Sequence, residues 1–285
     1  MNVPPLCLAL LGQPVAHSRS PAMMRAALAA LGLEGIYAAF EVAPAGLDAA
    51  LDGLWALGFR GANVTAPHKA AVAARLAARL TPEAARTGAV NTLLRGPDGW
   101  VGHNTDVEGL ALALHAERAA LRGASAVLLG AGGAARAAAL CLAGLGVTRV
   151  TVLARDALRA RGVADVATAV GLRAGAAGMD SAEGMRALAG AAVVVQCTSA
   201  EVSGGATLAV SLAPCAPGTL AVDLVYAPRV TPWMRRAEAA GMRVVPDAAL
   251  TMLAGQGAAA LSAWTGVAPP VAVMRAALDA ATRGS

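Results

Sequence analysis

"ASAVLLGAGGAARAAALCLAGLG", residues 124–146, carries the clearest fold signal in the chain. A continuous apolar run reaches Gly130, Gly132 and Gly133, and a long small-residue segment follows with Ala135 where a third glycine would stand. The pattern predicts a buried strand, a tight turn and the start of a helix. Gly130 can take the turn. Gly132 lets the loop of Ala131, Gly133 and Ala134 bring backbone amides up to a pyrophosphate at the helix N-terminus. A glycine-rich turn serving only helix–sheet packing is the alternative, and it explains three clustered glycines less well.

The choice of dinucleotide is read at the end of the next strand, in "VTVLARDALRA" (150–160). A carboxylate there suits the ribose diol of NAD, whereas arginine suits the 2′-phosphate of NADP. Ala154 is followed by Arg155, and Arg159 lies one helical turn on, which favours NADP. Asp156 keeps NAD open, since it can accept from a ribose hydroxyl. Arg159 has the plainer reading of a helix-surface arginine.

Outward from this unit, strands are expected near 148–153, 191–196, 219–223 and 242–245, with helices between them. The stretch before it alternates in the same way. Strands at 6–12, 36–42, 59–65 and 89–95 are separated by helical patterns at 21–32, 46–58 and 67–80, which implies a parallel α/β sheet. "GPDG" (96–99) makes a turn, and "VGHNTD" (101–106) leads into a helix reaching about residue 120. The helices from 248 to 283 do not continue the strand pattern. The expected fold is α/β: a substrate domain of residues 1–105 and 247–285, and a Rossmann-type, doubly wound parallel-sheet domain of residues 106–246.

Composition narrows the function. Hydrophobic residues make up 57% and aromatics only 3%, so Ala, Leu, Val and Gly carry a close-packed helix-on-sheet core. The net charge of +5 is spread over single arginines with no basic run, which argues against nucleic acid and for small anionic ligands. Cys7, Cys141, Cys197 and Cys215 have no metal-ligand spacing and read as small buried hydrophobes of a reducing, cytoplasmic setting. No metal is expected. The opening "MNVPPLCLALLG" reads as a first strand and not a signal peptide. Residues 248–274 carry no charge, but Gln256, Ser262, Pro269 and Pro270 divide them into a buried helix and a turn, so no membrane span is expected.

Among 23 basic residues only one is lysine, Lys69, in "NVTAPHK" (63–69). With Thr65 or Ala66 as cap and Pro67 at the first helical position, it falls in a first helical turn, the end the macrodipole makes unfavourable for a cation. An amine can give up and regain a proton where a guanidinium stays charged, so the position suits an acid/base. A chance survivor on a solvated face is the bland alternative. Asp106 reads as a helix cap or as the partner of Lys69. Ser20 before Pro21 reads as an N-cap and proline pair, and Ser18 and Ser20 there would also bind a carboxylate.

"GQPVAHSRSP" (12–21), "NVTAPHK" (63–69), "GAVNT" (88–92), "GHNTD" (102–106), "GAGGAAR" (130–136), "DLVYAP" (223–228) and "MLAGQGA" (252–258) together resemble the shikimate dehydrogenase family, in its order and over nearly the whole chain. The resemblance implies reversible NADP-dependent reduction of 3-dehydroshikimate to shikimate, on the route to aromatic amino acids. It implies final helices that return to the first domain, and a site at the carboxyl ends of strands. By it, Lys69 is the general acid/base with Asp106, and Ser18 and Ser20 hold the substrate carboxylate. Thr65, Asn91, Asp106 and Gln256 bind ring hydroxyls or neighbouring groups, Tyr226 lies against the substrate, and Leu224 and Ala249 approach the nicotinamide. Serine at both 18 and 20 is similar to the shikimate-preferring pattern. Three departures stand out: Ala154, Arg155 and Asp156 for "NRT", Gln196 and Glu201 within "QCTSAE", and Ala249 for a glycine. They leave open a paralogue using NAD or acting on quinate or an aminoshikimate, and, in another class, a silent dinucleotide sensor. Either a monomer or a homodimer is compatible.

Overall fold

The computed structural model describes residues 5–198 and 207–283. The chain divides into two compact units, Met1–Gly109 with Leu253–Ser285, and Leu110–Met252. The sequence-based limits at 105/106 and 246/247 lie a few residues from these seams, which fall inside helices where no break in pattern marks them.

The first unit has the strands β1 (Leu6–Gly12), β2 (Gly35–Glu41), β3 (Gly61–Val64), β4 (Thr92–Arg95) and β5 (Trp100–His103), in the order β2-β1-β3-β4-β5. β1 runs parallel to β2 and β3, but β4 is antiparallel to both β3 and β5, so the sheet is mixed and not parallel throughout. The reason is local. "GPDG" closes a hairpin between β4 and β5, with Gly96 N–H donating to Gly99 O, and a hairpin can join only antiparallel strands.

One face of this sheet presents Ala9, Leu11, Ala62, Val64 and Leu93 to α2 (Leu47–Ala56), α3 (Lys69–Arg75) and α4 (Pro82–Thr87), forming a buried core with Phe59 and Trp100. On the other face lie α1 (Ser20–Ala30) and the end of α11 (Ala248–Thr265), with α12 (Val271–Arg283) packed on α1. The approach there is close. A Cβ at Gly257 would overlap Met23 Cε, and one at Gly61 would overlap the Trp264 indole.

The second unit carries six parallel strands: β6 (Ser125–Leu129), β7 (Arg149–Leu153), β8 (Arg173–Ala177), β9 (Val193–Gln196), β10 (Leu220–Asp223) and β11 (Arg243–Val244). Their order, β11-β10-β9-β6-β7-β8, is the doubly wound Rossmann order, with its switch point between β6 and β9. α7 (Gly133–Gly144), α8 (Ala157–Ala169), α9 (Ala182–Ala189) and α10 (Pro232–Ala239) accompany it. Val127, Leu129, Val194 and Ala221 pack with Leu188 and Trp233 in its core.

Several local expectations need correction. The helix expected over 67–80 is only seven residues long, with His68 at its cap position, Pro67 outside it and Leu76 as its C-cap. The expected 106–120 helix breaks into α5 (Asp106–Ala113), a 3₁₀ turn at His115–Glu117 and α6 (Arg118–Leu121). β8 has no counterpart in the reading, since "RAGAA" shows neither an apolar run nor alternation. Cys7 and Cys197 are half-buried rather than buried, and all four cysteines are free. Among the described residues no helix is long and apolar enough to cross a membrane, and no group of side chains could hold a metal ion.

Gly61→Ala should test the packing of α11 on the sheet. The methyl would also come within 2.7 Å of the Leu93 carbonyl, the acceptor of the Trp264 indole N–H. A loss of about 2 kcal/mol in the unfolding free energy of this unit is expected, followed by urea denaturation with tryptophan fluorescence.

Candidate active site

Strand direction gathers the first group of candidates. β1 and β3 end at the same edge of the sheet, the antiparallel β4 begins there, and β5 ends there. Ser18 and Ser20 follow β1, Thr65 and Lys69 follow β3, Asn91 precedes β4, and Asp106 follows β5. Thr65 meets the loop after β1 at Gly12, where a Cβ would overlap Thr65 Cγ2 and stand 2.8 Å from Val15 Cγ1. Only glycine allows that approach.

Three of the expected residues are in direct contact. Lys69 Nζ donates to Asp106 Oδ2 at 2.7 Å, and Asn91 Nδ2 donates to Asp106 Oδ1 at 2.8 Å. The carboxylate is 6% exposed and the ammonium 22%, so the pair sits in a wall and keeps one side open. A charge-assisted bond of that length in partial burial fixes both groups. Asp106 is not a cap by its side chain; its own N–H is received by Asn104 Oδ1 at 3.0 Å, which leaves the carboxylate for Lys69. Lys69 is the first residue of a one-to-two-turn helix, so its placement is explained by Asp106 more than by any macrodipole.

Ser20 differs from its expected part. It is the first residue of α1 and is buried, Arg19 occupies the cap position, and no side chain caps the helix. Ser20 N–H donates to Ser18 Oγ at 3.3 Å. Burial pushes the Tyr37 phenol far above its ordinary range, and a hydrogen bond with Ser20 offsets part of that. Gln256 lies on α11 with its Nε2 donating to Leu253 O at 3.0 Å, one residue before the Gly257–Met23 contact.

Sequence reasoning missed the polar groups behind this edge: Tyr37, Asn63, Thr92 and Thr105, all buried. Asn63 and Thr92 are direct cross-strand partners, and Asn63 Nδ2 donates to Thr92 Oγ1 at 3.1 Å. Asn–Thr combinations recur at 63–65, 91–92 and 104–105, always at strand ends of one sheet, and that recurrence was the signal available.

In the second unit every strand is parallel, so all its strand ends share one edge. Gly130 has φ of 107° and no room for a side chain, since a Cβ would stand 2.5 Å from Thr198 Cγ2 beyond β9. Gly132 is the cap residue of α7 and makes no side-chain cap bond, and space lies open where its Cβ would be. A helix N-terminus without a side-chain cap, beside an open cradle, fits a pyrophosphate. Ala154 is buried, and Arg155 and Arg159 are exposed around the start of α8. Asp156 is the N-cap of α8, accepting from Arg159 N–H at 3.0 Å, so one carboxylate oxygen is already engaged. Tyr226 and Ala249 line one small cavity with Asp223, Arg229 and Asp247. Leu224 N–H is bonded to Gln196 O at 3.1 Å, and buried Gln196 turns its Oε1 back to the Thr198 N–H. Glu201 lies outside the described residues.

One unit of Rossmann order with a glycine loop, and another whose strand ends carry an amine–carboxylate pair, are the parts of a dinucleotide-dependent oxidoreductase. Comparison with known proteins then places the chain more narrowly. Residues 10–93 match the family model of the shikimate dehydrogenase substrate binding domain, and residues 250–278 that of the shikimate 5′-dehydrogenase C-terminal domain. Shikimate dehydrogenase (NADP(+)) of Symbiobacterium thermophilum is 43% identical over 281 residues, covering 97% of this chain and 95% of that one. Shikimate 5-dehydrogenase of Thermus thermophilus, solved with NADP(H) and shikimate, has 39% identity and a TM-score of 0.83, covering 97% and 99% of the two chains. Quinate dehydrogenase of Corynebacterium glutamicum, solved with NAD, has 31% identity and a TM-score of 0.84, covering 97% and 99%. The chain belongs to the shikimate dehydrogenase family.

The cap at Asp156 is open to a direct check. Asp156→Ala should lower the unfolding free energy of the second unit by about 1 kcal/mol, and Asp156→Ser should recover most of it, because serine can also cap.

Proposed function

We propose that this protein is a shikimate dehydrogenase that reduces 3-dehydroshikimate to shikimate, reversibly and with NADP. The single observation that carries the reading is the bond of 2.7 Å between the chain's sole lysine and Asp106, at an edge shared with Ser18, Thr65 and Asn91. Such an edge offers a carboxylate anchor, hydroxyl partners and a proton donor in one place. The family relationship, with NADP in the names of its curated relatives, supports the same assignment.

The chemistry asked of the chain is limited. The reduced cofactor, NADPH, would supply the hydride when bound; the Gly130–Gly133 loop and α7 would hold it, with Arg155 and Arg159 for its 2′-phosphate and Leu224 and Ala249 for its nicotinamide. Ser18, with Ser20, receives the substrate carboxylate and so fixes which face of the ring is offered. Thr65, Asn91, Asp106 and Gln256 take the ring hydroxyls, and Tyr226 lies against the ring. As the ketone carbon gains hydride, Lys69 gives its proton to the carbonyl oxygen, and in oxidation it takes that proton back. Asp106 orients the amine and balances its charge whenever it is protonated. Four free thiols suit a reducing, cytoplasmic setting.

A second reading is favoured by one observation: the quinate dehydrogenase solved with NAD shares the fold closely. Quinate or an aminoshikimate as substrate, or NAD as cofactor, is therefore the rival. A silent nucleotide sensor would have no use for an intact Lys69–Asp106 pair.

Initial rates with shikimate, quinate and aminoshikimate, each with NADP and NAD, test the assignment. Shikimate with NADP should be fastest, and a strong NAD preference would overturn the part given to Arg155. Lys69→Arg should fold normally and lose at least about 100-fold in kcat, because charge survives and proton exchange does not. Ser18→Ala should raise KM for shikimate with little change in kcat; an unaltered KM removes it from the carboxylate site.

A further inference from the structure

The proposed chemistry leaves a row of buried side chains without a task, and two backbone groups fix how that row is oriented. The Thr105 N–H can only donate, so Asn91 Oδ1 faces it at 2.8 Å and Nδ2 is left to donate to Asp106. The Asn91 carbonyl can only accept, so Asn63 Nδ2 faces it at 3.2 Å and Asn63 Oδ1 is turned to Tyr37. The Tyr37 phenol must therefore donate, which it does at 2.8 Å. Thr92 receives Asn63 Nδ2 and passes its own proton to Asn91 Oδ1 at 2.9 Å. The donors run one way, from Tyr37 through Asn63, Thr92 and Asn91 to the Asp106 carboxylate.

Sheet register explains how the row spans three strands. Tyr37 lies opposite Leu8 and Asn63 opposite Leu10, so both project from one face and the phenol crosses β1 to reach the amide. Leucines flank the row on that strand. A row of polar groups among them is costly unless every member is satisfied, and apolar residues would fill the same layer at less risk.

We propose that Tyr37, Asn63 and Thr92 are positioning residues. Together with the Thr105 N–H they hold the Asn91 amide in the one orientation that donates to Asp106, and through Asp106 they aim the Lys69 amine. The functional part of this inference rests on the shikimate dehydrogenase reading.

The test uses Thr92→Val, Thr92→Ser and Tyr37→Phe in the full chain, with two readouts. The first is steady-state shikimate oxidation. Thr92→Val should lose roughly fivefold or more in kcat with KM for shikimate held within about threefold, and Thr92→Ser, which keeps the hydroxyl, should stay within about twofold of wild type in both. The second does not depend on turnover. Because Lys69 is the sole lysine, ¹⁵N-lysine labelling yields a single side-chain amine resonance. That resonance should move in Thr92→Val and Tyr37→Phe and stay in place in Thr92→Ser. A folded Thr92→Val or Tyr37→Phe with wild-type kcat overturns the proposal, whether or not the resonance moves. So does equal loss in Thr92→Ser and Thr92→Val. If wild type does not oxidise shikimate, the enzymatic reading falls separately, and an unmoved lysine resonance in Tyr37→Phe then overturns the positioning row by itself.

Discussion

The bond between Lys69 and Asp106 is the constraint on which the first unit turns. An ammonium at 22% exposure against a carboxylate at 6% is tolerated only where geometry and further donors compensate the lost water. Asn91 supplies one such donor, and Asn104 accepts the Asp106 backbone N–H. Lys69 follows β3, Asn91 precedes β4, and Asn104 and Asp106 follow β5. The mixed sheet is thus the means by which groups up to 37 residues apart in sequence meet within hydrogen-bond distance.

The second unit solves a different problem with the same edge. A parallel sheet brings the ends of its described strands to one side, where the loop after β6 presents backbone rather than side chains. Gly130 is squeezed against Thr198, and the α7 N-terminus is left uncapped. The α8 N-terminus, by contrast, is capped by Asp156. One helix start lacks a side-chain cap while its neighbour is closed by the Asp156 carboxylate, one oxygen of which is thereby engaged.

Much of this was legible in the sequence. The glycine loop between apolar strand and small-residue helix predicts the Rossmann order, and a lone lysine among arginines draws attention to the residue that the structure pairs with Asp106. Illegible features share a physical cause: they depend on long-range pairing. "GPDG" announces a turn, but not that β4 joins β3 antiparallel. "RAGAA" becomes strand β8 only by pairing with β7. Pro67 and Ser20 each carry a familiar helix-start signal, yet the chain enters those helices elsewhere, at Lys69 and after Arg19. Tyr37 and Thr92 look like ordinary strand residues until the register puts them in one polar row.

The central claim is that Lys69 exchanges a proton with the substrate and does not merely supply charge. Chemical rescue of a Lys69→Ala variant tests it most directly, by adding small primary alkylamines or guanidinium to the inactive protein and following shikimate oxidation. Amines that fit the vacated space should restore turnover in a concentration-dependent way, and guanidinium at equal concentration should not. Restoration by guanidinium to the same extent as by amines would contradict the account, leaving the position a matter of charge alone.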